Sequence, residues 1–347
     1  MEIQQQVLLA PYTTFKVGGS ADYFCSVTNI DELRESVRFA ASRALPFFIL
    51  GGGSNVVVSD NGFQGLVIRM RCGGIARRSL GDAAVEFSVG AGEDWDAFVA
   101  RAVTEGLYGI ENLSGIPGSV GATVIQNVGA YGVEVRDFIA SVEAFDPDTM
   151  ALRTLKNEEC AFGYRDSFFK TREGSRFIIT RVIFQLALHG VLNTSYKDVR
   201  DYFSLQRLPP SLQSLREAIL IIRARKFPDL ARFGTAGSFF KNPLVREGEY
   251  ALLREQFPDI PGFPGDAGYI KVPAAWLIEH VGGYRGKRVG AVGSFENQAL
   301  VIVNYGGASA KDIVRFTDAI AETIADKTGV VLEREVRVVG SDGVKKD

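Results

Sequence analysis

The chain has 347 residues, 46% of them hydrophobic and 23% charged, a composition that supports a sizeable core in two or three domains and excludes wholesale disorder. Its formal net charge of −2 offers no basic footprint for nucleic acid, and its three scattered cysteines, Cys25, Cys72 and Cys160, lack any C-x-x-C pair, which argues for a reducing compartment rather than a disulfide framework or zinc site. Residues 1–6 show neither a basic nor an apolar signal region, and apolar runs such as 44–50 fall far short of the ~20 residues a bilayer span needs. A soluble cytoplasmic protein without a signal peptide is the expectation.

In chain order, residues 23–27 read as a strand and 30–44 as a helix. Asn29 caps that helix, Asp31 and Glu32 occupy its first turn, and Ile30, Leu33, Val37 and Ala41 share one face. A buried strand over 46–50 runs into Gly51-Gly52-Gly53-Ser54-Asn55. The apolar triplet Val56-Val57-Val58 and a turn at Asp60-Asn61-Gly62 follow. Strands are expected over 66–70 and 84–89, and a helix over 95–104 that Gly106 stops. A glycine-rich passage spans 115–132. Strands over 140–145 and 177–188 bracket residues 158–170. A domain boundary is placed near Pro209-Pro210, before a helix over 211–226 that Pro228 ends. The last section alternates helices (246–256, 309–327) with strands (298–304, 330–339). The class is α+β in three units, with the C-terminal strand free to return to an earlier domain.

Gly51-Gly52-Gly53-Ser54-Asn55 directly follows a strand, so its backbone N–H groups can converge on an anion with no Cβ in the way, and Ser54 and Asn55 add side-chain donors. It is neither the dinucleotide-binding G-x-G-x-x-G nor a P-loop, because a strand follows it rather than a helix. A hairpin-type turn fits the same residues. The second passage, Gly115-Ile116-Pro117-Gly118-Ser119-Val120-Gly121-Ala122 leading to Gln126-Asn127-Val128-Gly129-Ala130-Tyr131-Gly132, carries almost no charge. Such a neutral, backbone-rich surface suits a large ligand bearing a diphosphate.

Three further segments hold polar groups. Phe162-Gly163-Tyr164-Arg165-Asp166-Ser167-Phe168-Phe169-Lys170 reads either as a salt-bridged surface helix or as chemistry set among aromatics. Gly237-Ser238-Phe239-Phe240-Lys241-Asn242-Pro243 holds a serine among small residues, but no glycine sits two residues after Ser238, so it is not a hydrolase elbow. The chain's two histidines, His189 and His280, read as structural, which leaves a Ser-His-Asp triad without support. Residues 332–339 alternate as a strand with Glu333, Glu335 and Arg337 on one face. A solvated edge strand and a ligand-lining strand would share that pattern.

Taken together and in this order, the blocks resemble the UDP-N-acetylenolpyruvoylglucosamine reductase family, flavoenzymes of bacterial peptidoglycan precursor synthesis. The likeness runs from Thr13-Thr14-Phe15 to Glu333-Arg334-Glu335-Val336-Arg337 and includes Gly163-Tyr164-Arg165-Asp166-Ser167 and Ala236-Gly237-Ser238-Phe239-Phe240-Lys241-Asn242-Pro243. It implies an FAD-binding fold of the vanillyl-alcohol oxidase type, made of two α+β units, plus a C-terminal α+β substrate domain. The divisions are 1–70 (with 331–347 returning to it), 71–210 and 211–330. It implies FAD contacts at Gly51, Gly53, Ser54, Asn55, Ile125, Gly129, Tyr131, Arg223 and Arg337. Substrate contacts fall on Tyr164, Lys226, Asn242 and Gln298, and on Tyr196 in the loop that marks the longer subgroup.

Arg165, Ser238 and Glu335 are the implied catalytic groups. NADPH is the implied reductant, a monovalent cation an optional further ligand, and no metal site is expected. The partners are small molecules only, with no nucleic acid, no membrane and a monomeric chain. Arg334 stands where a proline is common and Phe263 where some relatives carry a substrate-side tyrosine. A flavin oxidase of the same fold and a non-catalytic nucleotide-sugar-binding protein are the competing readings. The absence of His and Cys from the glycine loops weighs against the first, and the presence of both Ser238 and Glu335 against the second.

Overall fold

The computed structural model describes residues 1–206, 209–265 and 268–344. Contacts divide the chain into two units. Unit 1 comprises 1–7, 21–53 and 64–224, and unit 2 comprises 8–20, 54–63 and 225–347.

Unit 1 is built on two sheets. The first has four strands in the order Gln4–Leu8, Ser20–Val27, Phe63–Met70, Phe47–Leu50, the last two parallel with Phe47 opposite Leu66 and Leu50 opposite Arg69. The helix Ile30–Ser42 connects two of these strands. Asn29 caps it, its side chain accepting the Asp31 and Glu32 N–H groups, and Leu33, Val37 and Ala40 face the core. The second sheet is antiparallel, in the order Ala151–Lys156, Ile139–Asp146, Ile178–Ala187, Ala84–Gly90, Ile75–Ser79. Val85, Phe87, Val89, Val182, Phe184 and Leu186 are all fully buried at its centre. Alternation puts them on one face, where helix Trp95–Thr104 covers them. Trp95, Phe98 and Phe184 meet there with ring centroids 5.0–6.0 Å apart. One continuous core joins both sheets.

Unit 2 gathers Leu8–Ser20 sequence neighbours, the 54–63 segment and the C-terminal part around a second core. Phe15, Phe239, Phe240, Leu277, Ile302, Ile320 and Ile324 lie within it. Strands Arg288–Val289, Val292–Phe295 and Gln298–Asn304 form one antiparallel sheet, and Leu244–Arg246, Tyr269–Lys271 and Phe263–Pro264 another. Helix Ala310–Thr328 opens on a Ser309–Asp312 capping box and ends at Gly329, φ +70°. The Asp60 carboxylate also accepts the N–H groups of Ala310 and Lys311, at 2.7 and 2.9 Å. Arg337–Gly340 pairs in parallel with Val56–Val58.

Three expectations are corrected. The strand expected over 330–339 is confined to Arg337–Gly340; ahead of it the backbone leaves the ladder to serve Phe239 and Phe240 instead. A salt-bridged surface helix, one of the two readings of residues 162–170, is not formed, and residues 157–170 hold no α-helix. They hold short 3-10 turns at Asn157–Cys160 and Phe168–Lys170, with Gly163 and Asp166 bridged between them. The residues after Tyr196, read as loop, form helix Lys197–Gln206. Strand Ala151–Lys156 was also missed, its outward face being mostly exposed and without an apolar alternation to betray it. Among the described residues no helix is long and apolar enough to cross a membrane.

Candidate active site

In unit 1 the two glycine passages touch. A Cβ on Gly51 would lie 2.5 Å from Ser119 Oγ, and one on Gly52 would lie 2.7 Å from Gly118 Cα. The second of these is backbone against backbone, an approach only glycine permits. Gly53, Gly115 and Gly118 have φ of +64°, +71° and +127°, backbone conformations that favour glycine. Arg223 adds charge to this neutral surface. Its guanidinium donates from Nε to the Gly115 carbonyl at 3.0 Å, and burial pulls its pKa down.

The passage from Ile125 to Gly132 is fastened to the Gly163–Ser167 segment by three side chains, those of Asn127, Arg165 and Ser167. Buried Asn127 donates to both Glu134 Oε2 and the Gly163 carbonyl, each at 2.9 Å. The Ser167 hydroxyl donates to the Ile125 carbonyl at 2.7 Å, and Arg165 Nη2 to the Gly129 carbonyl at 2.6 Å. Arg165 also lies 5.6 Å from the Tyr164 ring. Asn112 donates to the carbonyls of Tyr131 and Asn193, at 3.0 and 2.9 Å, which brings Tyr196 against Tyr131 with ring centroids 5.3 Å apart. Burial pushes the Tyr131 phenol up to about 12, so it stays a neutral hydrogen-bonding group.

Asn127, Tyr131 and Arg165 all have positive φ, at 44°, 51° and 51°. Each such residue costs about 1–3 kcal/mol and persists where its surroundings over-determine it, a feature common at functional sites. Asn127, Ser167 and Asn112 were not singled out from sequence. Asn127 could have been, because a buried amide in a glycine loop must spend its hydrogen bonds on loop backbone.

In unit 2, Ser238 and Glu335 are carried on neighbouring backbone. Ser238 bridges antiparallel to Val301 of strand Gln298–Asn304, and the Phe239 N–H donates to the Leu300 carbonyl at 2.9 Å. On the other side the Glu335 N–H donates to the Phe239 carbonyl at 2.8 Å, while Phe240 bridges to Arg334. Asn55 completes the lock, its Nδ2 donating to the Glu335 carbonyl at 3.1 Å and its own carbonyl accepting the Arg337 N–H at 3.1 Å. Glu333 is exposed and ion-paired with Lys241, which separates it in role from half-buried Glu335. Burial lowers the Arg337 guanidinium's pKa. The Asn242 side-chain oxygen accepts the Ala274 N–H at 2.9 Å, and Gln298 opens the strand beside Ser238. Lys226 is half-buried, and Ser54 begins the segment that Asn55 anchors.

The site residues are thus split. Gly51, Gly53, Ile125, Gly129, Tyr131, Tyr164, Arg165, Tyr196 and Arg223 belong to unit 1; Ser54, Asn55, Lys226, Ser238, Asn242, Gln298, Glu335 and Arg337 belong to unit 2. The three cysteines offer no nucleophile, because burial pushes the thiols of Cys25 and Cys72 up to about 11 and that of Cys160 up to about 12. Among the described residues no cluster of His, Cys, Asp or Glu could hold a metal ion.

A UDP-N-acetylenolpyruvoylglucosamine reductase of Pseudomonas syringae pv. tomato is 42% identical over 340 residues, covering 96% of this chain and 98% of that one. The chain belongs to the UDP-N-acetylenolpyruvoylglucosamine reductase family. A reductase of the same name from Porphyromonas gingivalis is 39% identical over 342 residues, 98% of this chain and all of its own length. The family's C-terminal domain model matches residues 229–339, and a model described as FAD binding domain matches 21–154. The crystal structure of the Thermus caldophilus reductase superposes with a TM-score of 0.67 at 28% identity, covering 97% of this chain and 99% of that chain. The fold is therefore α+β with an FAD-binding domain of the family's type.

The residues present fit FAD. A cradle closed to any Cβ at Gly52, lined by peptide groups and flanked by the half-buried Arg223, suits a dinucleotide diphosphate. Arg165, Tyr164, Tyr196 and Arg223 lie between the two matched segments, so the case for them rests on the geometry of unit 1 and on the resemblance.

Proposed function

We propose that this chain reduces the enolpyruvyl double bond of UDP-N-acetylenolpyruvoylglucosamine to give UDP-N-acetylmuramate, with NADPH as electron source, as a monomer in the cytoplasm. The observation that carries this is the near full-length match to reductases named for that substrate. Segments 1–70 and 71–210 would hold FAD, with 331–347 returning to the first, and 211–330 would cover the substrate. Gly51, Gly53, Ser54, Asn55, Ile125, Gly129, Tyr131, Arg223 and Arg337 are the proposed FAD contacts. Tyr164, Tyr196, Lys226, Asn242 and Gln298 are the proposed substrate contacts.

Bound FAD would supply the hydride, taken from NADPH, for the methylene carbon of the enolpyruvyl ether. Charge then gathers on the adjacent carboxylate as an enediolate. Arg165 stabilises it as a preorganised donor, its position supported by the bond to Gly129 and a φ of +51°. Glu335, in its protonated form, would add a second donor. The Ser238 hydroxyl delivers a proton to the neighbouring carbon and is reprotonated from solvent or a nearby group, so that the double bond gains one hydride and one proton.

The test is anaerobic incubation of the purified chain with NADPH and the enolpyruvyl nucleotide. NADPH oxidation should depend on that substrate, and the product's mass should rise by two hydrogens. NADPH consumption that ignores the substrate anaerobically, and that follows oxygen in a parallel aerobic incubation, would overturn the reductase reading in favour of an oxidase.

A further inference from the structure

Gly115 is held from two helices at once. On one side lies Asp96, in the first turn of helix Trp95–Thr104, where the helix N-terminus favours a carboxylate. Its Oδ1 accepts the Gly115 N–H at 2.6 Å. On the other side lies helix Leu212–Lys226, whose Arg216, Leu220 and Arg223 fall at i, i+4 and i+7 on one face. A Cβ on Gly115 would sit 2.8 Å from Leu220 Cδ2 and 3.2 Å from Arg223 Cδ, and Arg223 Nε donates to the Gly115 carbonyl at 3.0 Å. The loop is closed by Arg216, which grips Asp96 with both ends of its fork, Nη1 to Oδ1 at 2.6 Å and Nη2 to Oδ2 at 2.8 Å. The Gly115 peptide is thereby fixed at both its N–H and its C=O, with the two helices as jaws.

We infer that Asp96 and Arg216 are positioning residues for FAD, a latch that sets the Gly115 peptide and, through its carbonyl, the guanidinium of Arg223. This rests on the FAD reading above, which places the ligand against the Gly115–Gly118 turn and Arg223. Had the pair served only to join two helices, Asp96 would not need to share Oδ1 between Arg216 and a peptide N–H of the glycine turn. That sharing makes the carboxylate part of the turn's geometry as well as of the helix packing. Asp96 touches no substrate atom in this account; it acts through Gly115 and Arg223.

Two functions of one carboxylate can be separated by exchanging the charges. In Asp96→Arg with Arg216→Asp, the ion pair between helices is restored, but arginine at 96 cannot accept the Gly115 N–H. The experiment measures FAD binding to the flavin-stripped full chain by quenching of flavin fluorescence, together with the thermal midpoint of each variant. Asp96→Ala should bind FAD roughly tenfold more weakly than wild type, the loss expected for removing one hydrogen bond to a charged group. Asp96→Asn, which keeps an acceptor, should fall between the two, and Arg216→Lys, which keeps the charge but loses the fork, should also weaken binding, by less than Asp96→Ala. The exchanged pair should recover thermal stability relative to Asp96→Arg alone while FAD binding stays weak. Wild-type affinity in Asp96→Ala, or recovery of both stability and affinity in the exchanged pair, would overturn the latch. A wild-type chain that leaves flavin fluorescence unchanged would instead sink the FAD reading beneath it.

Discussion

In unit 1 the candidate flavin surface is made by what is missing: Gly52 admits no Cβ against Gly118. In unit 2 the candidate reacting groups are made by what is added, because Ser238 and Glu335 ride on segments stitched to Val301, Leu300, Phe239 and Asn55 through main-chain groups. The difference has a consequence for substitution. Adding atoms should damage unit 1, where backbone approach is the function. Removing a functional group should damage unit 2's chemistry and leave its structure alone, since the segments of Ser238 and Glu335 are held through main-chain groups.

Ser238→Ala breaks the comparison most sharply. It should keep FAD and let NADPH bleach the flavin, yet slow reoxidation by the enolpyruvyl substrate about 10²–10⁴-fold, the range for loss of a positioned proton donor. Stopped-flow absorbance checks it, and reoxidation at the normal rate would remove Ser238 from the proton-donor role. Arg165→Met, in unit 1 but proposed to act on the substrate, should lower kcat about 10²–10³-fold with flavin retained. If flavin is lost instead, Arg165 is a structural tie for Gly129 and no more.

Gly52→Ala tests the opposite side. Its new Cβ would be 2.7 Å from Gly118 Cα, so the paired loops must separate, and FAD binding should weaken by about tenfold or more at a stability cost of roughly 1–3 kcal/mol. An alanine variant with wild-type affinity would mean that the loops do not form the cradle. Glu335→Gln should leave binding intact and slow turnover about tenfold, because the amide still donates but with less acidity; steady-state kinetics with unchanged kcat would demote the residue to structure.

Smallest is the pH effect of the latch. Burial pushes the Asp96 carboxyl up, but the Arg216 fork and the Gly115 N–H outweigh it and hold the pKa below the ordinary 3.8. A lowered folded value stabilises the fold above the unfolded pKa and is lost as pH falls through the folded one. The gap in urea midpoint between wild type and Asp96→Asn should therefore be full at neutral pH and shrink on acidification below about 4. A gap independent of pH would show that the charge contributes nothing.

Much of the fold could be read from periodicity. Helices Ile30–Ser42 and Trp95–Thr104 and strand Gln298–Asn304 carry clean apolar patterns and caps, and their expected bounds lie close to those observed. Alternation misled at 330–339, where the even positions Leu332 and Val336 are buried by loop packing rather than by a sheet, with Arg334 turned to Asp318. The helix reading of residues 162–170 misled in the same way, because their charges and aromatics suit a helix face but Arg165 at positive φ and Asn127's hydrogen bond to the Gly163 carbonyl hold a turn. At the site, motif blocks pointed to the residues that would meet ligand. Of the residues that hold those blocks in place, Asn127 could have been read from its loop setting, but Asn112, Ser167 and Asp96 could not, since each acts on backbone distant in sequence. Periodicity carries no record of such partners.

The visible spectrum of the purified chain tests the central claim most directly, recorded anaerobically before and after NADPH and again after the enolpyruvyl nucleotide. The account predicts a yellow protein that NADPH bleaches and that the nucleotide restores to its oxidised colour. A colourless protein that releases no flavin on heating would contradict it.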